Sequence, residues 1–570
     1  MAALFTTPKR NDTTAGTHVA EPDVRRRIGL AHGSWRRVTR RIVAGAVCAL
    51  TVSSLLMPSV SLAAEWVKVG GNKYNTAASD EAGTWSWDGA DDLKLNNYNG
   101  GEIQAAGKLN VNYSGTNIVT AEWIESINVF HGTNENAELN IQGDEGGTLS
   151  VTSTEDAILS TGNINIDGAG SVNATSTGFD AINAGGDLAI KGSGNVNATG
   201  ASDGIRANGN ITIDDSGAVT ARATKDKGIG ADKNLTIKGG GTVEASSEKD
   251  AAVEAKGSLA ATNASLNANG VKYGVYANKG ITLDHANVTV RAGKGRYGGA
   301  IALFTYQDDI VVKNGSTVDA FAEGEVSAAF STRNDPPNEK GGHIYISDSV
   351  VKAIARYVEN GDGPTPYSEK QDGETSPEPQ GENIGIIAQT SEGVTPAVIS
   401  IIRSKVTAEG DTAAIFARAM SADGKTIGTI KIENAAIQTP EGGKVIDYRK
   451  LRDGIYEAGQ AIGTGDATVD SLYIKAVAKS TTIAPPEVAK PEDPKPDETK
   501  PAESKPAESK QNPKPEGSKP TKAVAASTTK AKTTGVLAAT GDTSGAAIVA
   551  TVLAGTAAIA AGTMASRKRS

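Results

Sequence analysis

DAILSTGNINIDGAGSVNATSTGF, at residues 156–179, is followed at once by DAINAGGDLAIKGSGNVNATGAS, at residues 180–202. The two stretches share one order of short apolar runs separated by Gly, Asn and Asp. Equivalent positions recur in steps of 22 to 24 residues, at Ile158, Ile182, Ile205, Ile229, Val253 and Val275. A constant period of this size indicates a solenoid, in which one short unit is stacked on the next.

Each repeat contains three runs of three to five residues in which apolar and polar side chains alternate. In the first repeat these runs begin at Ile158, Ile164 and Val172. The alternation predicts strands with one side facing inward, and the intervening small and polar residues predict turns. A unit of about 24 residues cannot bury enough surface alone, so neighbouring coils must stabilise one another. We therefore predict an all-β fold, a right-handed parallel β-helix with three strands per coil. The Leu-rich consensus of a leucine-rich repeat is missing.

Columns of equivalent residues support one stacking register. The residue before the second strand is polar in four successive repeats, at Asn163, Asp187, Asn210 and Asn234. The residue after that strand alternates in charge, at Asp167, Lys191, Asp214 and Lys238. Stacking would place polar side chains in a ladder and opposite charges on neighbouring coils. A slipped register would lose both.

The apolar pattern divides the chain into five parts. Runs of the strand type extend from residues 93–95 and 109–111 to 344–346, 399–401, 430–432 and 472–474. We expect a signal peptide at 1–63, a cap at 64–92, and the β-helix at 93–480 with insertions near 331–343 and 358–383. A disordered Pro-rich stalk at 485–534 and a C-terminal segment at 537–570 complete the chain. Trp66, Trp85 and Trp87 are expected in the cap, where sugar stacking is the alternative role.

Charge and cysteine content restrict the functions that this chain can have. The formal charge of the whole chain is −9, but both ends are basic, so residues 64–541 carry −17. An acidic body repels phosphate backbones, and we expect no nucleic-acid partner. The single cysteine, Cys48, lies in the apolar leader. The mature chain is thus predicted to contain no disulfide.

The first 63 residues have the pattern of an export signal. Arg36, Arg37, Arg40 and Arg41 precede an uncharged apolar run at 42–60, and Ser61-Leu62-Ala63 follows as a small-x-small cleavage site. This order is typical of a signal peptide. The general secretory route is favoured, with twin-arginine export as the alternative. Either route takes the protein out of the cytoplasm.

The C-terminal end combines a short motif with a segment that could cross a bilayer. Residues 545–565 carry no charge and are followed by Arg567, Lys568 and Arg569. A run of about 20 such residues can span a membrane as a helix, and the basic residues would keep its end in the cytoplasm. The motif lies just before this run, at Leu537, Ala538, Ala539, Thr540 and Gly541.

This arrangement resembles the sorting signal of Gram-positive cell-wall-anchored proteins, in the LAxTG form of high-GC actinobacteria. The resemblance implies that a sortase cleaves between Thr540 and Gly541 and joins Thr540 covalently to peptidoglycan. Ala538 replaces the usual proline, so the sortase class stays open. An ordinary C-terminal membrane anchor is the alternative, and both interpretations predict a protein of the cell surface. The preceding Pro/Lys/Glu-rich segment prefers extended conformations, as a stalk through the wall would require.

The repeat region resembles bacterial β-helix surface proteins that bind carbohydrate and are related in fold to pectate lyases. The resemblance covers residues 85–320 best. It is carried by WDG at 87–89, by LKLNNYNG at 93–100 and by coils of the DGIRA type at 203–207. These are repeat consensus residues without a catalytic signature. The resemblance implies the fold, and it also suggests an extracellular glycan or a host surface as the partner.

A column of acidic residues is the first candidate site. Asp156, Asp180 and Asp203 each precede the first strand of successive coils by two residues. Stacked carboxylates repel one another unless a cation or hydrogen bonds stabilise them, and calcium prefers such oxygen ligands. The alternative is that each Asp caps a turn by bonding its own backbone. With calcium, Arg206 would be the candidate base of a polysaccharide lyase acting on uronates.

The second candidate site is an aromatic group in a chain that is only 4% aromatic. The group falls on two successive coils and comprises Tyr273, Tyr276, Tyr297, Phe304 and Tyr306. Flat rings can stack on sugars. Because Tyr273 shares the strand parity of Val275, filling of the core is the alternative. We expect a non-catalytic surface protein that binds carbohydrate or mediates adhesion, with the lyase and a purely structural or protein-binding adhesin as alternatives.

Overall fold

The computed structural model describes residues 63–486, except 123–124, 131–136, 294–298, 339, 359–380, 453 and 466–467. The described residues form strands and turns without a helix, and they belong to one compact unit. None of them lies in a helix long and apolar enough to cross a membrane. The signal peptide up to Leu62, most of the stalk and the whole C-terminal segment fall outside the described residues.

The strands are numbered along the chain. The first twelve are β1 (Trp66–Val69), β2 (Asn72–Tyr74), β3 (Ala78–Ser79), β4 (Trp85–Trp87), β5 (Asp92–Asn96), β6 (Asn99–Gly100), β7 (Ile103–Ala106), β8 (Lys108–Ser114), β9 (Thr116–Ala121), β10 (Ile127–Phe130), β11 (Glu138–Gly143) and β12 (Thr148–Ser153). The next fifteen are β13 (Ile158–Ser160), β14 (Asn163–Gly168), β15 (Ser171–Ser176), β16 (Ile182–Ala184), β17 (Leu188–Lys191), β18 (Val196–Gly200), β19 (Ile205–Ala207), β20 (Ile211–Asp214), β21 (Val219–Ala223), β22 (Ile229–Ala231), β23 (Leu235–Lys238), β24 (Thr242–Ser247), β25 (Val253–Ala255), β26 (Leu259–Thr262) and β27 (Ser265–Gly270).

The strands of sheet 1 are longer from here on than in the preceding coils, and eighteen further strands are described. They are β28 (Tyr273–Ala277), β29 (Ile281–Asp284), β30 (Asn287–Gly293), β31 (Gly299–Thr305), β32 (Ile310–Lys313), β33 (Thr317–Gly324), β34 (Val326–Asn334), β35 (Ile344–Ser347), β36 (Val350–Tyr357), β37 (Asn383–Thr390), β38 (Val398–Ile402), β39 (Lys405–Gly410), β40 (Ala413–Ser421), β41 (Thr429–Glu433), β42 (Ala436–Thr439), β43 (Lys444–Arg452), β44 (Ile455–Gly463) and β45 (Ser480–Ala484).

Within the described ranges the strands form three long sheets. Sheet 1 contains 16 strands in the order β2-β1-β7-β10-β13-β16-β19-β22-β25-β28-β31-β34-β37-β40-β44-β43. Sheet 2 contains 15 strands, β3-β4-β5-β8-β11-β14-β17-β20-β23-β26-β29-β32-β35-β38-β41. Sheet 3 contains 14 strands, β42-β45-β39-β36-β33-β30-β27-β24-β21-β18-β15-β12-β9-β6. From β7 to β39 each coil gives one strand to each sheet, and pairing with the next coil is parallel. This architecture is compatible with the predicted β-helix.

The predicted stacking register is confirmed. Ile158 pairs with Ile182, Ile164 with Leu188, and Val172 with Val196. The inward side chains of these strands are almost completely buried and form one continuous apolar core. Apolar contact between successive coils therefore holds the solenoid together.

The two predicted side-chain columns are also present. Along the first, Asn163 Oδ1 accepts the backbone N–H of Asp187 at 2.9 Å, and Asp187 Oδ1 accepts that of Asn210 at 2.7 Å. In the charged column Lys191 pairs with Asp214, which pairs with Lys238. The distance from Lys238 Nζ to Asp214 Oδ2 is 2.6 Å.

The turn from sheet 2 to sheet 3 places one residue of many coils in the left-handed backbone region. These residues are Asp215, Gly239, Asn263, His285, Asn314, Asp348, Arg403 and Asn434, with φ between 46° and 85°. Gly, Asn and Asp tolerate this conformation best, which explains their recurrence at these turns. Arg403 departs from that preference, and its guanidinium forms two 2.7 Å hydrogen bonds with Asp348 of the preceding coil.

Antiparallel strands close the N-terminal end of the solenoid. The β1–β2 hairpin pairs with β7 of sheet 1, and β4 pairs antiparallel with β5 of sheet 2. Trp85 and Trp87 are buried there, whereas Trp66 is half-buried with Lys73 Nζ 4.2 Å from its ring centroid. Trp85 and Trp87 thus fill the space beneath the first coil.

Parallel stacking ends at β41, before the predicted boundary at residue 480. The chain then reverses, so that β44 pairs antiparallel with β40, and β45 lies antiparallel between β39 and β42. The coil predicted at residues 472–474 is wrong, because this segment forms turns. Leu472 is buried with Val469 and Val477 in a second apolar cluster, against Ile387 and Phe416 of sheet 1. Its apolar pattern reflects this packing.

The predicted insertions are only partly loops. Residues 331–334 belong to β34, so the first insertion begins at Asp335. The second leaves sheet 3 after Tyr357 and re-enters sheet 1 at Asn383. Residues 359–380 of this insertion lie outside the described residues. Coils continue after it, since β37 pairs parallel with both β34 and β40.

Candidate functional site

Apart from Tyr306, the described residues of both sequence-predicted sites lie in two adjacent columns of sheet 1. One column there contains Asp156, Asp180, Asp203, Lys227, Ala251 and Tyr273. The neighbouring column, paired strand by strand, contains Leu159, Asn183, Arg206, Gly230, Glu254, Tyr276 and Phe304. The acidic residues, Arg206 and the rings of Tyr273, Tyr276 and Phe304 therefore lie in two adjacent columns, in which Asp180, Asp203, Ala251 and Phe304 are buried.

A bend at the start of each sheet 1 strand brings Tyr273 to this surface. Consecutive residues are buried at the bend, namely Ala251, Ala252 and Val253 in one coil and Gly274 and Val275 in the next. The in–out alternation is thus shifted by one residue, and the parity argument that placed Tyr273 in the core is wrong. A Cβ atom at Gly274 would clash with Val290, so only glycine fits beneath the two tyrosines.

The acidic residues form a hydrogen-bonded ladder between coils. Asp156 Oδ1 accepts the backbone N–H of Asp180 at 2.8 Å, and Asp180 Oδ1 accepts that of Asp203 at 2.8 Å. Asp203 Oδ1 accepts the N–H of Lys227 at 2.7 Å. Each carboxylate therefore bonds the backbone of the next coil, whereas the turn-capping interpretation had it bonding its own.

Burial changes the acidity of this ladder. Asp203 is only 2% exposed and Asp180 only 6%. Desolvation raises the pKa of Asp156 and of Asp203 to about 6 each, and it also raises the pKa of Asp180. The neighbouring Asp180 carboxylate adds to the shift at Asp156 and Asp203. Hydrogen bonds from the next coil oppose the shift without cancelling it.

Calcium binding by this ladder remains a prediction. Each ladder Asp already accepts a hydrogen bond from the next coil, so the oxygens are spread along the stack. Within the described part of the chain, three acidic side chains bring oxygens within 4.8 Å of one another at Asp88, Asp91 and Asp92. Asp88 and Asp92 are occupied by nearby N–H groups, and Asp91 lies 4.0 Å from Lys108 Nζ. This cluster is a hydrogen-bonded turn in the N-terminal cap.

Charged groups next to the ladder retain hydrogen-bonding capacity. Arg206 Nη1 lies 3.9 Å from Asp203 Oδ2, and Lys227 Nζ lies 4.0 Å from Glu254 Oε2. These contacts are too long for hydrogen bonds. Gly230 places no side chain between Arg206 and Glu254. The donors and acceptors around this glycine are therefore available to a polar molecule on the surface.

Three rings continue the surface toward the C-terminus. The centroids of Tyr273, Tyr276 and Phe304 are 5.3 to 5.5 Å apart, and their planes differ by 14° to 28°. Nearly equal distances mean that the rings form a triangle. Phe304 is only 3% exposed and supports the other two, which are half-buried. Burial raises the pKa of Tyr276 to about 12. The two tyrosines are therefore neutral surface rings at ordinary pH.

The two other predicted aromatic residues do not join this triangle. The Tyr306 hydroxyl donates to Asp335 at 3.0 Å, in the loop that follows β34. Arg333 Nε donates to the same carboxylate at 2.8 Å. Tyr306 thus anchors this loop. Tyr297 lies outside the described residues, as do all five residues of the sorting motif, Leu537, Ala538, Ala539, Thr540 and Gly541.

Sequence reasoning missed three members of this surface, namely Lys227, Gly230 and Glu254. A signal for them was present, because the repeat alignment already placed them in the columns of Asp203 and Arg206. The alignment did not show that the two columns lie next to each other on sheet 1. Comparison of the chain with protein-family models, curated proteins and solved structures finds no match.

Proposed function

We propose that this chain is a secreted, cell-wall-anchored surface protein that binds carbohydrate on the outer face of sheet 1. The observation that carries the proposal is the sequence of groups along that face. Half-buried Tyr273 and Tyr276 adjoin Glu254, Lys227 and Arg206, whose polar atoms are not saturated within the described residues. Sugars need this combination, since a ring packs against their C–H groups while polar groups bind their hydroxyls.

The dimensions suit an oligosaccharide that runs along the solenoid. Arg206 and Tyr276 lie three strands apart, which is about 14 Å at the usual strand spacing.

For the fold, we propose that the stacked coils form a right-handed parallel β-helix. A crossover between parallel strands of one sheet is right-handed in nearly all proteins, and every coil from β7 to β39 is such a crossover.

A glycan array probed with residues 64–541 tests the binding proposal. Binding should depend on Tyr276, and Tyr276→Ala should weaken it about tenfold, a loss of about 1.4 kcal/mol. Tyr276→Phe keeps the ring and should bind like the parent. If no glycan binds, or if Tyr276→Ala binds as well as the parent, the proposal is wrong.

Two further arms of this experiment separate the alternatives. The array is repeated with calcium and with a chelator, because a ligated cation would make binding calcium-dependent. Release of unsaturated uronates, followed by their ultraviolet absorbance, would establish the lyase, and Arg206→Ala should then abolish turnover. Binding without turnover supports the surface-binding role.

The anchoring part of the proposal rests on the terminal sequence patterns. A sortase would join Thr540 to peptidoglycan, with the stalk at 485–534 crossing the wall. In a Gram-positive host, Thr540→Ala should move the protein from the covalently bound wall fraction to the membrane or the medium. Thr534→Ala, outside the motif, is the matched control. Equal wall attachment of both variants would contradict sortase anchoring.

A further inference from the structure

A concavity lies over sheet 2, at the N-terminal end of the solenoid. Its volume is about 610 Å³, within the range typical of small-molecule sites. Strands β4, β5, β8 and β11 and the turns beside them provide its lining. The lining residues are Gly83, Trp85, Ser86, Lys94, Leu95, Asn96, Asn112, Tyr113, Ser114, Gln142 and Asp144. We call it the sheet 2 groove.

The same strands carry an amide column outside the groove, and its members bond to one another. Asn110 Nδ2 donates to Asp92 Oδ1, Asn140 Nδ2 to Asn110 Oδ1, and Asn165 Nδ2 to Asn140 Oδ1, each at 2.8 Å. Stacked amides at one strand spacing can therefore satisfy each other on this sheet. This column has little capacity left for a ligand.

The column inside the groove contains two amides and a lysine, and it lacks these bonds. Lys94, Asn112 and Gln142 are register partners on β5, β8 and β11. Among the described residues, none of these three side chains has a hydrogen-bond or ion-pair partner, and neither does Asp144. The two neighbouring columns on the same strands thus differ. The groove column is more exposed at Lys94 and Gln142, its polar groups have no protein partner among the described residues, and it faces a concavity.

The chemistry of these free groups points to a class of ligand. Asn112 and Gln142 each offer donors and an acceptor, and the charges of Lys94 and Asp144 offset each other. Trp85 and Tyr113 lie beneath the groove and are almost completely buried, so they form its floor without exposing a ring face. A phosphate or a uronate would need a net positive site, whereas a neutral molecule with many hydroxyls matches a mixture of donors and acceptors.

We infer that the sheet 2 groove binds a neutral oligosaccharide, with Asn112 and Gln142 as its principal hydrogen-bonding residues. This site is separate from the outer face of sheet 1 and does not rest on the proposed function. It would give the protein two glycan contacts on different faces of one rod. Two weak sites on one chain increase avidity for a polymeric or clustered glycan.

Calorimetric titration of the full-length chain tests this inference. The probes are neutral hexamers of β-1,4-linked glucose, α-1,4-linked glucose, mannose and N-acetylglucosamine, with a galacturonate hexamer as the charged comparison. We expect at least one neutral hexamer to bind, and to protect strands β5, β8 and β11 from amide hydrogen exchange. Asn112→Ala combined with Gln142→Ala should weaken that binding at least tenfold.

Two control variants make the outcome decisive. Asn165→Ala alters the self-bonded column outside the groove, and Tyr276→Ala alters the face of sheet 1; both should keep the groove affinity. The inference is overturned if no neutral hexamer binds, if protection falls elsewhere, or if the double variant binds like the parent. It is also overturned if Asn165→Ala loses as much affinity as the double variant. Failure of the Tyr276 test alone would affect only the proposed function.

Discussion

At the scale of single residues, sheet 1 has buried aspartates at positions where asparagine could accept the same backbone N–H from the next coil. In the exposed ladder of sheet 2, Asn163 and Asn210 accept an N–H from the next coil. In the buried ladder of sheet 1, Asp180 and Asp203 do so. A buried carboxylate is destabilised relative to its protonated form, and the pKa of Asp203 is raised to about 6 for this reason.

This raised pKa makes stability depend on pH in a defined direction. A carboxyl group with a folded-state pKa of about 6 and an ordinary value of 3.8 binds its proton more tightly when the protein is folded. The resulting stabilisation is fully present below pH 3.8 and is lost as the pH rises through 6. The cost at neutral pH is on the order of 1–3 kcal/mol.

Asp203→Asn should remove this cost while keeping an acceptor for the Lys227 N–H. The free energy of unfolding of the variant, relative to that of the parent, should therefore increase from pH 5 to pH 8. The increase should be on the order of 1 kcal/mol once the loss of the Arg206 contact is included. Urea unfolding at both pH values measures the difference. Asp187→Asn, in the exposed ladder, is the control and should show little change between the two pH values. A variant that is less stable than the parent at pH 8 would contradict this account.

At the scale of elements, the coil is the unit that repeats and the side-chain columns define its register. Residues 205–228 span one period, and removing them would join Gly204 to Ile229 with every inward strand still matched. Because contacts are mainly between neighbouring coils, the shortened chain should fold. The deletion also brings Lys191 beside Lys238, since Asp214 normally separates them.

This new contact predicts a charge-dependent melting temperature. In the shortened chain, Lys238→Asp should raise the melting temperature because it restores an opposite pair with Lys191. In the full chain the same change should lower it, because the introduced carboxylate would then face Asp214. Both effects should shrink in about 1 M salt. Equal and salt-independent effects in the two backgrounds would show that the charged column does not contribute to register.

At the scale of the whole molecule, the antiparallel segment after β41 closes the C-terminal end. It covers Ile384, Ile387 and Phe416 on the outer face of sheet 1, and β45 lies along the open edge of β39 in sheet 3. Uncovered apolar surface and open edges promote self-association.

A chain ending at Asn434 should therefore aggregate, whereas one ending at Pro486 should stay monodisperse. Size-exclusion chromatography and binding of a hydrophobic dye distinguish the two, and we expect a several-fold higher dye signal from the shorter chain. Similar profiles for both chains would mean that the closing segment is not needed to protect this end. Both chains lack the stalk, so their comparison isolates the closing segment.

The sequence by itself determined the local strands, the period and the register. These follow from alternation within each run and from the spacing between runs, both of which are local properties of the chain. It also made Asp156, Asp180 and Asp203 visible as one column and Tyr273 and Tyr276 as one group. Two predictions from strand-like patterns were wrong, the inward orientation of Tyr273 and the coil at residues 472–474. Alternation shows which residues are apolar, but it does not show which surface buries them.

Only the tertiary structure determined which side chains of neighbouring columns lie next to each other. The bend before each sheet 1 strand kept Tyr273 half-buried outside the apolar core, and stacking placed the acidic ladder, the charged groups and the rings in adjacent columns. Stacking likewise left Asn112 and Gln142 unpaired in a groove while Asn110 and Asn140 bonded to each other. The physical reason is that a column forms from residues about 24 positions apart, and the face it presents depends on backbone bends and closing segments whose effect appears only after the coils are stacked.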